Sequence, residues 1–445
     1  MKRVLIILGV VLALLAAGLA VFVATFNVDR YRPLIVQQLE ERLGRAVDLQ
    51  RLSMSWRGGL AVEAHGLTIY GSRDRTQDPL VRAASASAVI RLWPLLHRRI
   101  EVPVVRVKDA AVHWKDAAAP STEVSAEAVD VAATLGPVPS DPARLDQWDL
   151  EVRLTAGAVR AASLSSPVES LRLFAVMKSG RAELRALSAT IAGGTIRASG
   201  QMEHLTVQPR TTLTLTVERL SLDRLLPVAA PEAPRLRGTL SATFEGTASG
   251  LAWADISRTL AGVGRLQLAD GKIERLNILR EVLDRLSMLP GVVEKLRARL
   301  PEASQRQLDA RDTVFRPVDL SLTAVDGAIV FRQLQVQSDA FALSGSGQVG
   351  FNGALSSRVM LAAEPGVSSA IVGGVNELQS LTDADGRFTV PVILQGRLPH
   401  VAVLPDLEYV ASRLLMTKTR EWLGGALEKL VAPRGESTGP PPAQP

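Results

Sequence analysis

Apolar and polar side chains alternate with a period of two along most of this 445-residue chain, a pattern that fits β-strands burying one face and exposing the other. Val152 and Leu154 alternate with Glu151, Arg153 and Thr155, and Leu213, Leu215 and Val217 alternate with Thr212, Thr214 and Thr216. The pattern returns at Leu240, Ala242 and Phe244, at Leu266 and Leu268, and at Leu320 and Leu322. Asp-Gly pairs at 270–271, 326–327 and 385–386 supply the positive-φ geometry of tight turns and predict antiparallel hairpins. At roughly 12 to 15 residues per strand and connection, a body of about 360 residues gives about 25 to 30 strands at most.

The N-terminus breaks this pattern. Val4 to Ala24 contains no polar side chain and would cover about 32 Å as a helix, enough to cross a bilayer core. Lys2 and Arg3 ahead of it favour a cytoplasmic N-terminus, with the remainder in the periplasm of a bacterium. A cleaved signal peptide is the alternative, because Gly18-Leu19-Ala20 offers a small-x-small site; the apolar run continues past that site, which favours the anchor. Between Asn27 and Arg45, Ile35, Leu39 and Leu43 fall on one helical face, with Pro33 early and Gly44 at a C-cap position. Further helices are predicted at 276–300, broken at Leu289-Pro290-Gly291, and at 407–430. The Ala-, Ser- and Pro-rich segment 121–147 reads as a loop or insertion and marks the main internal boundary, and 431–445 reads as a disordered tail. The expected divisions are thus 1–26, 27–120, 121–147, 148–430 and 431–445.

Composition excludes more than it suggests. Cysteine is absent, which removes disulfides, thiolate metal sites and cysteine nucleophiles. The net charge is +6, but the 51 Lys and Arg interleave with 45 Asp and Glu, which reads as a solvated surface, with no nucleic-acid partner. The five histidines, His65, His97, His113, His204 and His400, lack metal-ligand spacing, and His65 and His113 fit structural roles on strands. Gly345-Ser346-Gly347-Gln348-Val349-Gly350 matches a dinucleotide fingerprint in letters only: strand-like residues follow where a helix is required, so the glycines read as a turn or bulge. Asp383-Ala384-Asp385-Gly386 lacks the later ligands of a calcium loop and reads as a hairpin turn. No catalytic residue, cofactor or metal site emerges.

The order of features resembles the AsmA family of bacterial envelope proteins, from the N-terminus to about residue 410. The apolar segment followed by YRPLIVQQLEERLGRAVDLQRL carries Tyr31, Pro33, Leu43, Gly44 and Arg45 in the family's places. VIRLWPLLHRRIEVPVVRVKDAAVHW carries Leu95, Arg98, Arg99, Ile100 and Val105. LRGTLSATFEGTASGLAWADISRTLAGVGRLQLADGKIERLNIL and FALSGSGQVGFNG resemble its C-terminal region. The resemblance implies an inner-membrane anchor, a periplasmic β-rich body related to bridge-like lipid-transfer proteins, and a role in outer-membrane lipid homeostasis. It does not imply an enzyme.

The expected fold is therefore mainly β: an N-terminal transmembrane helix, then an extended, curved antiparallel sheet forming a groove, with a few amphipathic helices. The groove would be lined by Val152, Leu154, Leu213, Leu215, Val217, Leu240, Phe244, Leu266, Leu268, Leu320 and Leu322, with membrane phospholipids as partners. Self-association or a periplasmic or outer-membrane protein partner would extend its reach. Two other readings stay open: closed sandwiches with dry cores, which have the same alternation, and a membrane-tethered scaffold that binds envelope proteins by strand addition at a sheet edge.

Overall fold

A computed structural model describes residues 28–56, 60–76, 78–91, 102–115, 123–137, 144–162, 164–225, 233–286, 302–374, 376–398 and 400–413. The expected anchor at 1–26, the tail at 431–445 and the quoted residues Leu95, Arg98, Arg99 and Ile100 lie outside these. Among the described residues no helix is long and apolar enough to cross a membrane. The chain is mainly β, with nineteen strands in the described residues, below the ceiling of about 25 to 30 because helices take part of the body. It divides into two compact units, residues 1–271 with 321–329, and 272–320 with 330–445.

The first unit is an open antiparallel meander in sequence order. Its strands are β1 (Val47–Trp56), β2 (Leu60–Tyr70), β3 (Pro79–Ile90), β4 (Val104–Trp114), β5 (Val124–Leu135) and β6 (Leu150–Ala161). They continue as β7 (Val168–Lys178), β8 (Arg181–Ile191), β9 (Gly194–Glu203), β10 (Arg210–Ser221) and β11 (Arg235–Ser249). Each pairs with the next. The expected loop at 121–147 is corrected by β5, which pairs along its length with β4 and β6. Its alanines have weak strand propensity alone, and two flanking ladders supply what propensity lacks. The boundary expected there falls instead near residue 271.

The edge strand β1 is capped by the segment before it. A short 3₁₀ turn, Val28–Tyr31, leads into the helix Arg32–Leu43, which ends at Gly44 with φ 67°, the left-handed C-cap that glycine adopts without strain. Glu40 Oε1 accepts from the Val47 amide at 3.0 Å, Asp29 Oδ1 accepts from the Leu52 amide at 2.8 Å, and the Arg32 guanidinium donates to the Gln50 carbonyl. Arg75 closes on Glu40 at 2.8 Å. The Val47 amide bond, reinforced by Arg75, holds the Glu40 carboxyl below its ordinary range. Backbone groups that an unpaired edge would expose are thereby occupied by side chains.

The strand β12 (Ala261–Glu274) crosses the boundary between units. Asp270-Gly271, expected as a hairpin, lies inside it. Asp270 has φ 52°, and this left-handed geometry serves a bulge as well as a turn. The short strand β13 (Thr313–Val314) pairs with β12, and β14 (Val318–Val325) and β15 (Ala328–Gln337) flank Asp326-Gly327, whose φ values of 50° and 77° are those of the expected hairpin turn.

In the second unit, β16 (Phe341–Gly350), β17 (Ala354–Ala363), β18 (Thr389–Arg397) and β19 (His400–Pro405) pair in order. The glycine-rich run at 345–350 is neither a turn nor a bulge; it sits within β16 in unbroken register with β17. A Cβ at Gly345 would collide with the Arg358 carbonyl and lie 2.7 Å from Val359 Cα, so close backbone approach explains the glycine. Asp383-Gly386 forms the expected turn: Asp383 Oδ1 accepts from the amides of Asp385 at 3.0 Å and Arg387 at 2.8 Å, and the bridge Thr382–Phe388 closes it.

Helices seal one face of this second sheet. Ile278–Leu286 places Leu279, Val282, Leu283 and Leu286 inward, and Pro365–Gly374 adds Val367 and Ile371. They meet Phe341, Leu361, Phe388, Val390 and Val392, each at most 1% exposed. Of the helix expected at 276–300, residues 278–286 are described and 287–301 are not; Glu302–Asp309 is a separate helix. Of that expected at 407–430, residues 407–413 are helical and the rest lies outside the described residues. The helix Pro365–Gly374 was not expected, because its apolar residues surround it and leave no stripe to read.

Two outcomes follow from this packing. Leu361→Ala is expected to destabilise the second unit by about 2 to 5 kcal/mol, and Leu215→Ala to cost the first under about 1 kcal/mol, as read from hydrogen exchange of β17 and β10 amides. Because the Glu40 pKa is lowered on folding, its contribution is complete above the ordinary value of about 4.5 and is lost as pH falls through the folded value. Exchange at Val47 should therefore accelerate below that pH, and Glu40→Gln should abolish the acid dependence.

Candidate functional site

One face of the first unit's sheet is apolar. A row crosses six strands on it: Leu67 faces Ala83, Ala83 faces Ala110, Ala110 faces Val129, and beyond β5 Ala156 faces Leu171. Ala83, Ala110, Val129 and Ala156 are 3 to 7% exposed. Every described member of this cluster belongs to strands β2 to β7, so neighbours on one sheet bury each other. By contrast, the second unit's core draws more than half its buried members from helices and turns.

Left-handed residues lie along this row. Gly66, Asp109, Ala128 and Ser170 have φ values of 64°, 48°, 51° and 51°, and each immediately precedes a member of the row: Leu67, Ala110, Val129 or Leu171. Registers slip around Asp109 and Ser170. Such bulges bend a strand and increase its twist. They also shift the alternation by one residue: in β5 the apolar face carries Ala126 before the bulge and Val129 and Val131 after it.

The eleven residues expected to line a groove are all half-buried. Leu154 packs beside Ala156, and Val217 and Leu240 pack against Ile191 and Leu220. Leu213, Leu215 and Val217 face Gly246, Phe244 and Ala242 across β10 and β11, and Leu268 approaches Gly238 of β11. Val152 and Leu154 lie on β6, on the same ladder but four strands earlier than β10. Leu320 and Leu322 share β14, yet Leu320 belongs to the second unit and Leu322 to the first. At about 1.5 to 3 kcal/mol for complete burial, a quarter of each side chain left open is roughly 0.5 kcal/mol, on the order of 5 kcal/mol for those in the first unit. An apolar ligand covering this face would recover that.

Phe244 lies against bare backbone. A Cβ added at Gly246, Gly262 or Gly264 would sit 2.8, 2.6 or 3.2 Å from its ring. Side chains at these positions would meet the ring, and at Gly262 and Gly264 they would meet the carbonyls of Glu245 and Thr243 more closely still.

The opposite face is polar. Arg160 pairs with Glu127 at 2.7 Å, Arg181 with Glu203 at 2.8 Å and Arg197 with Glu218 at 2.6 Å. Arg153 and Arg185 approach the Phe174 ring to 4.8 and 5.4 Å. Exposed pairs of this kind contribute about 0 to 1 kcal/mol each, so they keep this face in water more than they stabilise the sheet. His65 Nε2 lies 3.1 Å from Ser53 Oγ, and His113 lies 3.2 Å from Glu123, which gives both histidines structural partners on their strands.

A family model described as the AsmA family matches residues 1–117 and 111–329. The chain belongs to the AsmA family. The AsmA match takes in the whole ladder from β1 to β11 and ends short of residue 410, so FALSGSGQVGFNG lies beyond it. No curated protein and no solved structure matches the chain. Within the AsmA region, residue-by-residue reading had missed Ala83, Ala110, Val129 and Ala156, since alanine gives a weak apolar signal and the bulges interrupt the period.

The packing of Phe244 on the glycines can be tested by a double-mutant cycle. Gly262→Val is expected to destabilise the first unit by about 1 to 3 kcal/mol through overpacking. In combination with Phe244→Ala the cost should shrink by at least about 0.5 kcal/mol, measured by urea unfolding.

Proposed function

We propose that this AsmA protein is a single-span inner-membrane protein whose periplasmic sheet binds phospholipid acyl chains on the apolar face of its first unit and passes them along it. It would thereby contribute to outer-membrane lipid homeostasis and envelope biogenesis, by binding and not by bond-making. One observation carries the reading: Val152, Leu154, Leu213, Leu215, Val217 and Phe244, on the apolar face of the first unit's sheet, are left half-buried, in a chain whose second unit seals its own core with helices. Family membership supports an envelope role, and the apolar segment at 4–24 supports the anchor.

The energetics fit this role. Moving an acyl chain from bilayer to an apolar face is near neutral, whereas exposing it to water costs about 0.8 kcal/mol per CH₂. Scaffolding by strand addition is disfavoured at β1, where the Val47 and Leu52 amides already donate to Glu40 and Asp29.

Photo-crosslinkers at Leu154 and Leu215 are expected to label phospholipid in cells, and those at Thr155 and Thr214 are not. Leu215→Asp should remove co-purifying lipid while circular dichroism stays unchanged. Crosslinks from Leu154 and Leu215 to polypeptide alone would overturn the lipid reading in favour of a scaffold.

A further inference from the structure

The second unit has a polar face as well as a sealed one. On the side of its sheet away from the helices is a depression of about 480 Å³, within the range of small-molecule sites. Arg332, Arg358, Ser346, Ser356 and Gln348 line it, with no acidic residue among the lining. The register sets Arg358 opposite Ser346 and Ser356 opposite Gln348 on adjacent strands, and Arg332 comes from β15 beside them. The floor is fixed, because Ser357 Oγ donates to the Ser346 carbonyl at 2.8 Å. Arg358 is only loosely held: its nearest carboxylate oxygen, on Asp406, is 3.9 Å away, and Asp406 also accepts from the Tyr409 amide.

Two guanidinium groups, two hydroxyls and an amide thus converge on one concave surface with no negative charge among them. Guanidinium forks match the tetrahedral oxygens of phosphate by paired, charge-assisted hydrogen bonds. We propose that this depression binds a phosphate monoester or diester, as free phosphate or as the phosphate of a lipid head group. The site does not require the acyl-binding face of the first unit.

The test is calorimetry on the full chain in non-ionic detergent at low salt. The probes are inorganic phosphate, dihexanoyl phosphatidic acid and dihexanoyl phosphatidylcholine. Binding of inorganic phosphate as tight as that of phosphatidic acid identifies free phosphate as the ligand; tighter binding of phosphatidic acid identifies the head group. In either case Arg332→Gln and Arg358→Gln are each expected to weaken binding about tenfold or more. Arg316→Gln, which removes the same charge elsewhere in the second unit, should change it less than twofold. Leu215→Asp should leave it unchanged. Failure of both anions to bind, equal weakening by Arg316→Gln, or loss in Leu215→Asp with none in the two arginine variants would overturn the proposal.

Discussion

A single β-sheet with one apolar face must either cover that face or curl around it, because leaving it flat in water exposes a continuous hydrophobic surface. The first unit carries bulges along that face, which bend its strands. Registers slip beside Asp109, Ala128 and Ser170, next to the apolar row, and Gly66 adds a further left-handed residue in unbroken register. The residues at the crease then have little room, which is why alanine and valine occupy it at 83, 110, 129 and 156. Larger side chains such as Leu154 and Leu171 stand to either side. Everything attributed to the apolar face depends on this placement of four left-handed residues.

The second unit answers the same constraint by covering. Ile278–Leu286 and Pro365–Gly374 bring Leu279, Val282 and Ile371 to exposures of 0% against Leu361 and Val390. A face packed to that density has no space for a ligand, whereas the half-open residues of the first unit have space on one side. The two units therefore share strand chemistry and differ in what their strands are available to do. The polar face of the second sheet, with Arg332 and Arg358 around a concave surface, is left as its accessible chemistry.

Period-two alternation made the β-class legible wherever strands were regular. Leu213, Leu215 and Val217 on β10 share a face with Leu240 and Phe244 on β11. It failed where a bulge shifted the phase, as in β5, whose Ala126 and Val129 share a face although they are three positions apart. Asp-Gly was ambiguous as well: the left-handed conformation makes a hairpin turn at Asp326-Gly327, whereas at Asp270-Gly271 it falls inside the continuous strand β12. Whether an apolar strand face is sealed or open was not legible at all, since Leu361 and Leu215 look alike in sequence. That distinction depends on helices arriving from distant segments, among them 365–374, which carries no amphipathic stripe.

Openness alone does not make a path for an acyl chain; the surface must also be even. Leu, Val, Ala and Phe offer dispersion contacts of similar depth, and adjacent strands stand about 4.8 Å apart, so each step along the ladder exchanges one set of aliphatic contacts for a comparable one. A buried charge or a projecting ring would create a barrier or a trap. The charged side chains are placed on the opposite face, as Arg160, Glu127, Arg197 and Glu218 show. The aromatic ring of Phe244 is laid against Gly246, Gly262 and Gly264, where it adds apolar surface. The same glycines let adjacent backbones close up beneath the ring: a Cβ at Gly262 would collide with the Glu245 carbonyl, and one at Gly264 would lie 2.7 Å from the Thr243 carbonyl.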